Sequence, residues 1–362
     1  MNRMLTLSFV ALVATACQDP AVPVMEENGV GPASASRAGV AGAGGTELDV
    51  SAFSSTVSTT GVPIVDLGTL GGDHSIATDI NQRGQVLGES QTVSGEWHVF
   101  VWSQGTTEDL GTLGGDQSWV GGINDRGQVA GDSKTAEDRR NVFLWERGEM
   151  WDLGFQADAH DINNRGQIVG VREIGMAGET TTFLWDRGDL IDLGTFHPEA
   201  TENDAMAVND RGQIVVFTRT ATGEELAFLW DKQVKIGLVP MPGGGGAVPY
   251  DINNRSQVVG RSSMATGGVH AALWEDGRPV DLGTLGGDWS EATAVNEWGL
   301  IVGWSRTATG AIHAFVWDGA GMKDLGTLPG GTESWALGAN NRGQIVGYAT
   351  TATGQLRAVM WH

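Results

Sequence analysis

Cysteine occurs once in the 362 residues, tyrosine twice and lysine four times, and each scarcity closes off a class of protein. A single cysteine forms neither an internal disulfide nor a thiolate zinc cage, so the fold must stand on packing and hydrogen bonds. The four lysines (Lys134, Lys232, Lys235 and Lys323) make no basic cluster, and 44 acidic against 22 basic side chains leave a formal charge of −22. Such a chain repels phosphate backbones, and nucleic acid is excluded as a partner. The apolar run Leu5 to Ala14 falls well short of the roughly 20 residues that span a bilayer. What is plentiful is glycine, with 55 residues, and tryptophan, with 14, inside a 40% hydrophobic composition that can bury a sizeable core.

Arg3, the apolar run to Ala14 and the small residues Ala14-Thr15-Ala16 stand immediately before Cys17. This arrangement resembles a bacterial lipoprotein signal, and the resemblance implies export, with Cys17 as the lipidated first residue of a membrane-anchored envelope protein, periplasmic or at the cell surface. Ala14 departs from the leucine usual three positions before the cysteine. Ordinary secretory cleavage near Ala16 therefore stays open beside it. Residues 17–60 are rich in Gly, Ala, Ser, Thr and Val without hydrophobic period, which reads as a flexible linker. The expected organisation is a signal peptide at 1–16, an anchored linker at 17–60 and one folded region at 61–362.

That region repeats itself. A tryptophan closing an apolar strand recurs at 102, 145, 185, 230, 274, 317 and 361, and the asparagine of an Asn-Arg-Gly-type turn recurs at 81, 124, 163, 209, 253, 296 and 340. Each unit holds four short β-patterned runs, illustrated by Ala77–Asn81, Gln85–Ser90, His98–Trp102 and Asp109–Leu113. Three connections read as hairpins: the Asn-x-Arg-Gly turn, whose glycine is replaced by Ser256 in the fifth unit, the Thr-Ala-Thr-Gly turn and the turn after the tryptophan. The fourth, Leu-Gly-Gly-Asp-x-Ser at Leu70–Ser75, Leu113–Ser118 and Leu285–Ser290, is read as a crossover to the next unit. Radial repetition of such meanders predicts an all-β protein, a seven-bladed β-propeller of four-stranded antiparallel blades. The repeats begin with an outer-type strand, Ile64–Leu67, and stop after a third-type strand, so the N-terminal strand is expected to close the ring. An open β-solenoid is the alternative.

His313-Ala314-Phe315-Val316-Trp317, with the surrounding Asp-Leu-Gly-Thr-Leu-Gly-Gly and Asn-Arg-Gly-Gln-Ile-Val-Gly segments, resembles the HAF-repeat family of extracellular bacterial repeats. The resemblance covers nearly all of residues 64–362, with the triplet degenerate at His98-Val99-Phe100, His270-Ala271-Ala272 and Asn141-Val142-Phe143. It implies an extracellular setting and carries no activity with it. A weaker likeness to WD-repeat propellers rests on Trp185-Asp186, Trp230-Asp231 and Trp317-Asp318, without the Gly-His half of that motif.

Residues repeated in every unit are expected to hold the frame, since one active site needs one constellation. The aspartates before Leu-Gly (Asp66, Asp109, Asp152, Asp192, Asp281, Asp324) are read as backbone-bonding, with calcium binding as the alternative, and His98, His270 and His313 as strand-packing residues. The crossover tryptophans Trp119, Trp289 and Trp335, with Asp73, Asp116 and Asp288, form the candidate ligand site: a ring stacks on a sugar or proline face while carboxylates accept hydroxyl or amide protons. Filling of the channel mouth is the competing reading. The fourth crossover is irregular and acidic, with His197, Glu199, Glu202 and Asp204, and next to it Pro240–Pro249 carries four consecutive glycines. The chain thus reads as a monomeric, cofactor-free binding or scaffolding module for an envelope or extracellular protein or glycan. A glycan-processing hydrolase or lyase on the same frame and a purely structural envelope protein are the other readings.

Overall fold

The structure, a computed structural model, describes residues 62–174 and 179–362, and among these every regular element is a β-strand. Cys17, the signal segment and the linker lie outside the described residues. The strands form five four-stranded antiparallel sheets and one eight-stranded sheet, the latter being two antiparallel groups of four joined by a single parallel pairing of Val269 with Trp289. Within a group, strands pair in chain order, as Gly71–Ile80, Val86–Thr92, Trp97–Ser103 and Thr106–Asp109 do. The short strand Ile64–Asp66 is the exception. It pairs with Leu356–Trp361 at the other end of the chain, Ile64 opposite Trp361 and Val65 opposite Met360, and Leu67 N–H extends the pairing to Ala358 O at 2.8 Å.

Local chemistry fixes the hairpins. Asn81 Oδ1 accepts N–H bonds from Arg83 and Gln85, both at 3.0 Å, which folds the backbone over the side chain, and Gly84 then takes a φ of +81°. In the fifth unit Ser256 takes this left-handed place, with φ +63°. The turn after the tryptophan places Arg187 and Gly188 both at positive φ, the mirror-image turn whose twist matches paired strands.

One expectation is corrected. The Leu-Gly-Gly-Asp-x-Ser stretch is not a crossover loop but the start of the inner strand: Gly71 pairs with Thr92, Gly114 with Thr135 and Gly286 with Thr307, ahead of a register shift. Glycine makes this approach feasible. A Cβ on Gly72 would meet Gln91 Cβ at 2.5 Å and Thr92 O at 2.7 Å, so only a residue without one lets the strands close.

Each apolar cluster belongs to two neighbouring units rather than one. Val302, Val316 and Leu325 of the sixth unit pack with Ile345, Val359 and the fully buried Trp361 of the seventh, and Ile80, Val86 and Phe100 of the first pack with Val346 and Met360 of the seventh. No unit can bury its faces alone, so stacking is obligatory. A polar seam runs through the same interfaces. Asn81 Nδ2 donates to Asn124 O at 3.0 Å, and the same bond links 124 to 163, 163 to 209, 209 to 253, 253 to 296, 296 to 340 and, at 3.1 Å, 340 back to 81.

Candidate functional site

The residue after each ladder asparagine builds a rim. Gln82 N–H donates to Asp125 Oδ1 at 2.8 Å, Asp125 to Asn164, Asn164 to Asp210, Asp210 to Asn254, Asn254 to Glu297, Glu297 to Asn341, and Asn341 to Gln82 Oε1 at 2.8 Å. These seven side chains surround one cavity of about 210 Å³. Below the rim, Asp79, Asp161 and Asp251 each accept the N–H of the following residue and that of a residue in the next unit (Ile123, Val208 and Val295, at 2.8–3.0 Å). Burial pushes all three carboxyls up, against the pull of those N–H donors: Asp161 to about 8 and Asp251 to about 6, with mutual repulsion adding to the effect. Among the described residues no group of three or more His, Cys, Asp or Glu side chains is placed to hold a metal ion, so the calcium reading acquires no ligand set.

Further charge contacts lie in units two to six, in three groups that the first strands share with the second and third strands beside them. Arg140 bonds Asp132 and lies 3.3 Å from Asp158, while its guanidinium covers the Trp119 ring at 4.4 Å. His160 Nδ1 meets Asp204 at 2.8 Å. Arg219 joins Glu202 at 2.7 Å to Glu225 at 3.3 Å, and Arg261 continues from Glu225 to the hydroxyl of Tyr250, which donates to Glu291 at 2.9 Å. Glu291 also accepts from Trp289 Nε1 at 2.9 Å. The Trp289 ring has Arg261 and Arg306 at 5.9 and 6.0 Å, and Arg306 reaches Asp288 at 3.5 Å. Burial raises Glu89 and Asp132 to about 7, each partly offset by a donor, the Val120 N–H and Arg140 respectively. Burial works against protonation of His160, yet Asp204 and Asp158 outweigh it and hold the imidazole up at about 9. Glu89 and Asp132 are sealed at 5% and 1% exposure, so neither reaches a dissolved substrate.

The sequence-based candidates are thus partly united. Trp119 and Trp289 are half-buried and belong to the first and the third of these groups. Trp335 is not exposed as expected: it lies within strand Ser334–Ala339, 4% exposed, stacked on Tyr348 at 4.6 Å. Asp116, Asp288 and Asp73 sit exposed at one register, engaged by Lys134, Arg306 and Gln355. The acidic loop does not act as one group. Glu202 and Asp204 belong to strand Ala200–Val208 and turn to Arg219 and His160, while His197 caps Glu199 N–H at 3.2 Å in the loop itself.

The histidine reading is also corrected. His98, His270 and His313 do have carboxylate partners, Asp109, Asp281 and Asp324, each eleven residues on, at 2.7–3.0 Å. Asn141 and Thr181 take Asp152 and Asp192 in the same way, and each of these aspartates also accepts the N–H of the glycine two residues on. The constant spacing of eleven is the signal that finds them. Arg140, His160, Arg219, Tyr250, Arg261 and Glu291 escaped the sequence reading, because their positions carry different residues in other units.

These sheets define a β-propeller. The chain superposes on the β-propeller domain of the Trilobed protease from Pyrococcus furiosus with a TM-score of 0.56 at 11% identity, covering 80% of this chain and 93% of that one. Similar matches are an acylaminoacyl peptidase of Pyrococcus horikoshii (TM-score 0.57, 11% identity, 82% and 52% of the two chains) and a puromycin-hydrolyzing peptidase of Mycobacterium tuberculosis (0.55, 11%, 83% and 54%). The chain spans about half the length of these two peptidases, and at such identity the likeness concerns the fold alone. Comparisons with protein-family models and with curated proteins give no match.

Proposed function

We propose that the chain is an exported, lipid-anchored member of the HAF-repeat family, a seven-bladed propeller closed by its N-terminal strand, whose inner strands bind an envelope or extracellular ligand. The pairing of Ile64–Asp66 with Leu356–Trp361 and the asparagine cycle support seven blades and closure. The segment ending at Cys17 supports the anchor: Cys17→Ser is expected to move the protein from the membrane to the soluble fraction, and unchanged membrane retention contradicts it.

The observation that carries the binding role is the pair of half-buried indoles, Trp119 beside the Arg140 guanidinium and Trp289 beside those of Arg261 and Arg306. Cations packed against the rings restrict their rotamers, so little ordering entropy is lost when a sugar or peptide face meets them. Asp116 and Asp288, exposed close by in sequence, accept hydroxyl or amide protons. A glycan array probed with the full chain and with Trp119→Ala/Trp289→Ala tests this. Selective binding lost in the variant is expected; binding that survives intact, or none across glycan and peptide arrays, refutes the site.

A further inference from the structure

The third residue of every asparagine turn faces solvent, and in six of seven units it is arginine: Arg83, Arg126, Arg165, Arg211, Arg255 and Arg342. In the sixth unit it is Trp298, 58% exposed. These turns encircle the 210 Å³ cavity, so six of the 22 basic side chains form an annulus around one opening. The arginines are arranged around it rather than splayed at random. Arg83 Nη1 donates to Arg126 O at 3.3 Å, Arg126 to Asn164 O, and Arg211 to Asn254 O at 3.2 Å, each reaching the next turn.

They stand outside ion pairs, although Arg255 attracts the Glu297 carboxylate from a longer range. Among the described residues, the arginines in ion pairs within 4.0 Å are others, such as Arg140, Arg219, Arg261 and Arg306, and none of the six has a carboxylate partner. The acids of the rim, Asp125, Asp210 and Glu297, accept N–H bonds of the rim itself. A surface of overall charge −22 would ordinarily deter an anion, but beyond about 8 Å that repulsion is screened at physiological salt, and locally six exposed arginines stand outside the five carboxyls of the cavity lining, of which Asp161, at about 8, is protonated near neutral pH.

From this we infer a second binding surface, distinct from the Trp119–Trp289 site: the arginine annulus and its polar cavity receive an acidic polysaccharide. Guanidinium groups match carboxylates in a two-pronged geometry, the rim amides and carboxylates suit sugar hydroxyls, and Trp298 offers an indole on which a sugar ring stacks. A flat anionic bilayer would leave unused the cavity itself, whose lining of amides and carboxyls suits hydroxyl groups.

Calorimetric titration of the full chain with polygalacturonate, with dextran as the neutral control, tests the surface. Binding that weakens as salt rises is expected, together with no response to dextran. Arg83→Gln/Arg126→Gln/Arg165→Gln should weaken it by about tenfold or more, as should Trp298→Ala, while the corresponding triple lysine variant keeps the charge and most of the affinity. Trp119→Ala/Trp289→Ala should leave it unchanged, which separates this surface from the inner-strand site. The inference is overturned if the triple glutamine variant, folded by circular dichroism, binds as the parent does. It is equally overturned if dextran binds alike, or if vesicles of phosphatidylglycerol and phosphatidylcholine are bound and polygalacturonate is not.

Discussion

Gly303 has an ordinary strand conformation, yet a Cβ there would lie 1.9 Å from Glu291 O and 2.9 Å from the Phe315 ring, and only the fourth unit, with Val216, does without a glycine at this place. Gly88, Gly131, Gly170, Gly260 and Gly347 stand at the same place in their units, each against a carbonyl of the inner strand. The carbonyl is backbone and the ring is core, so neither can yield. Gly303→Ala is expected to lower stability by about 3 kcal/mol, read as a shift of the urea midpoint. Asp324 shows the opposite economy. One carboxylate both ends a strand, through the Gly326 N–H at 2.7 Å, and fixes His313 at 2.7 Å. That double use accounts for the recurrence of the histidine and the Asp-Leu-Gly segment together, with no chemistry required of either.

The first two strands of the units hold the buried carboxyls, and their titration has a definite sign. Asp161 at about 8, Glu89 and Asp132 at about 7 and Asp251 at about 6 all bind protons more tightly folded than unfolded. Between the ordinary carboxylate range near 4 and about 8 the folded protein therefore holds more protons, and its stability falls as pH rises through that window. The urea midpoint should be higher at pH 5 than at pH 8, and Asp161→Asn should flatten the dependence; a midpoint that rises with pH contradicts the assignment. Hairpins and outer strands were legible because Asn, Gly and positive φ act within four residues. Extension of the inner strand through Gly71 and Gly72 was not, since the partner that demands glycine, Gln91–Thr92, is distant in sequence. The charged groups were hidden for a related reason. Arg140 meets Asp158, and Tyr250 meets Glu291, across neighbouring units and only after their sheets have stacked.

At the scale of the molecule, repetition made the architecture readable: seven tryptophans and seven asparagines at near-constant spacing imply equivalent units, and shared cores require them to stack. Departures from the repeat carry the individuality. Trp298 replaces an arginine of the annulus, and the inner-strand charges break the pattern unit by unit. The arginine annulus runs through all seven units and across the seam between the last and the first, and it exists in full only if that seam is closed. The most direct measurement is accordingly a crosslink at that seam. In a Cys17→Ser background, Val65→Cys/Met360→Cys places two thiols at paired positions. Closure predicts that mild oxidation forms an intramolecular disulfide in a monomer and raises the melting temperature. Thiols that stay free, or that link one chain to another, would contradict it.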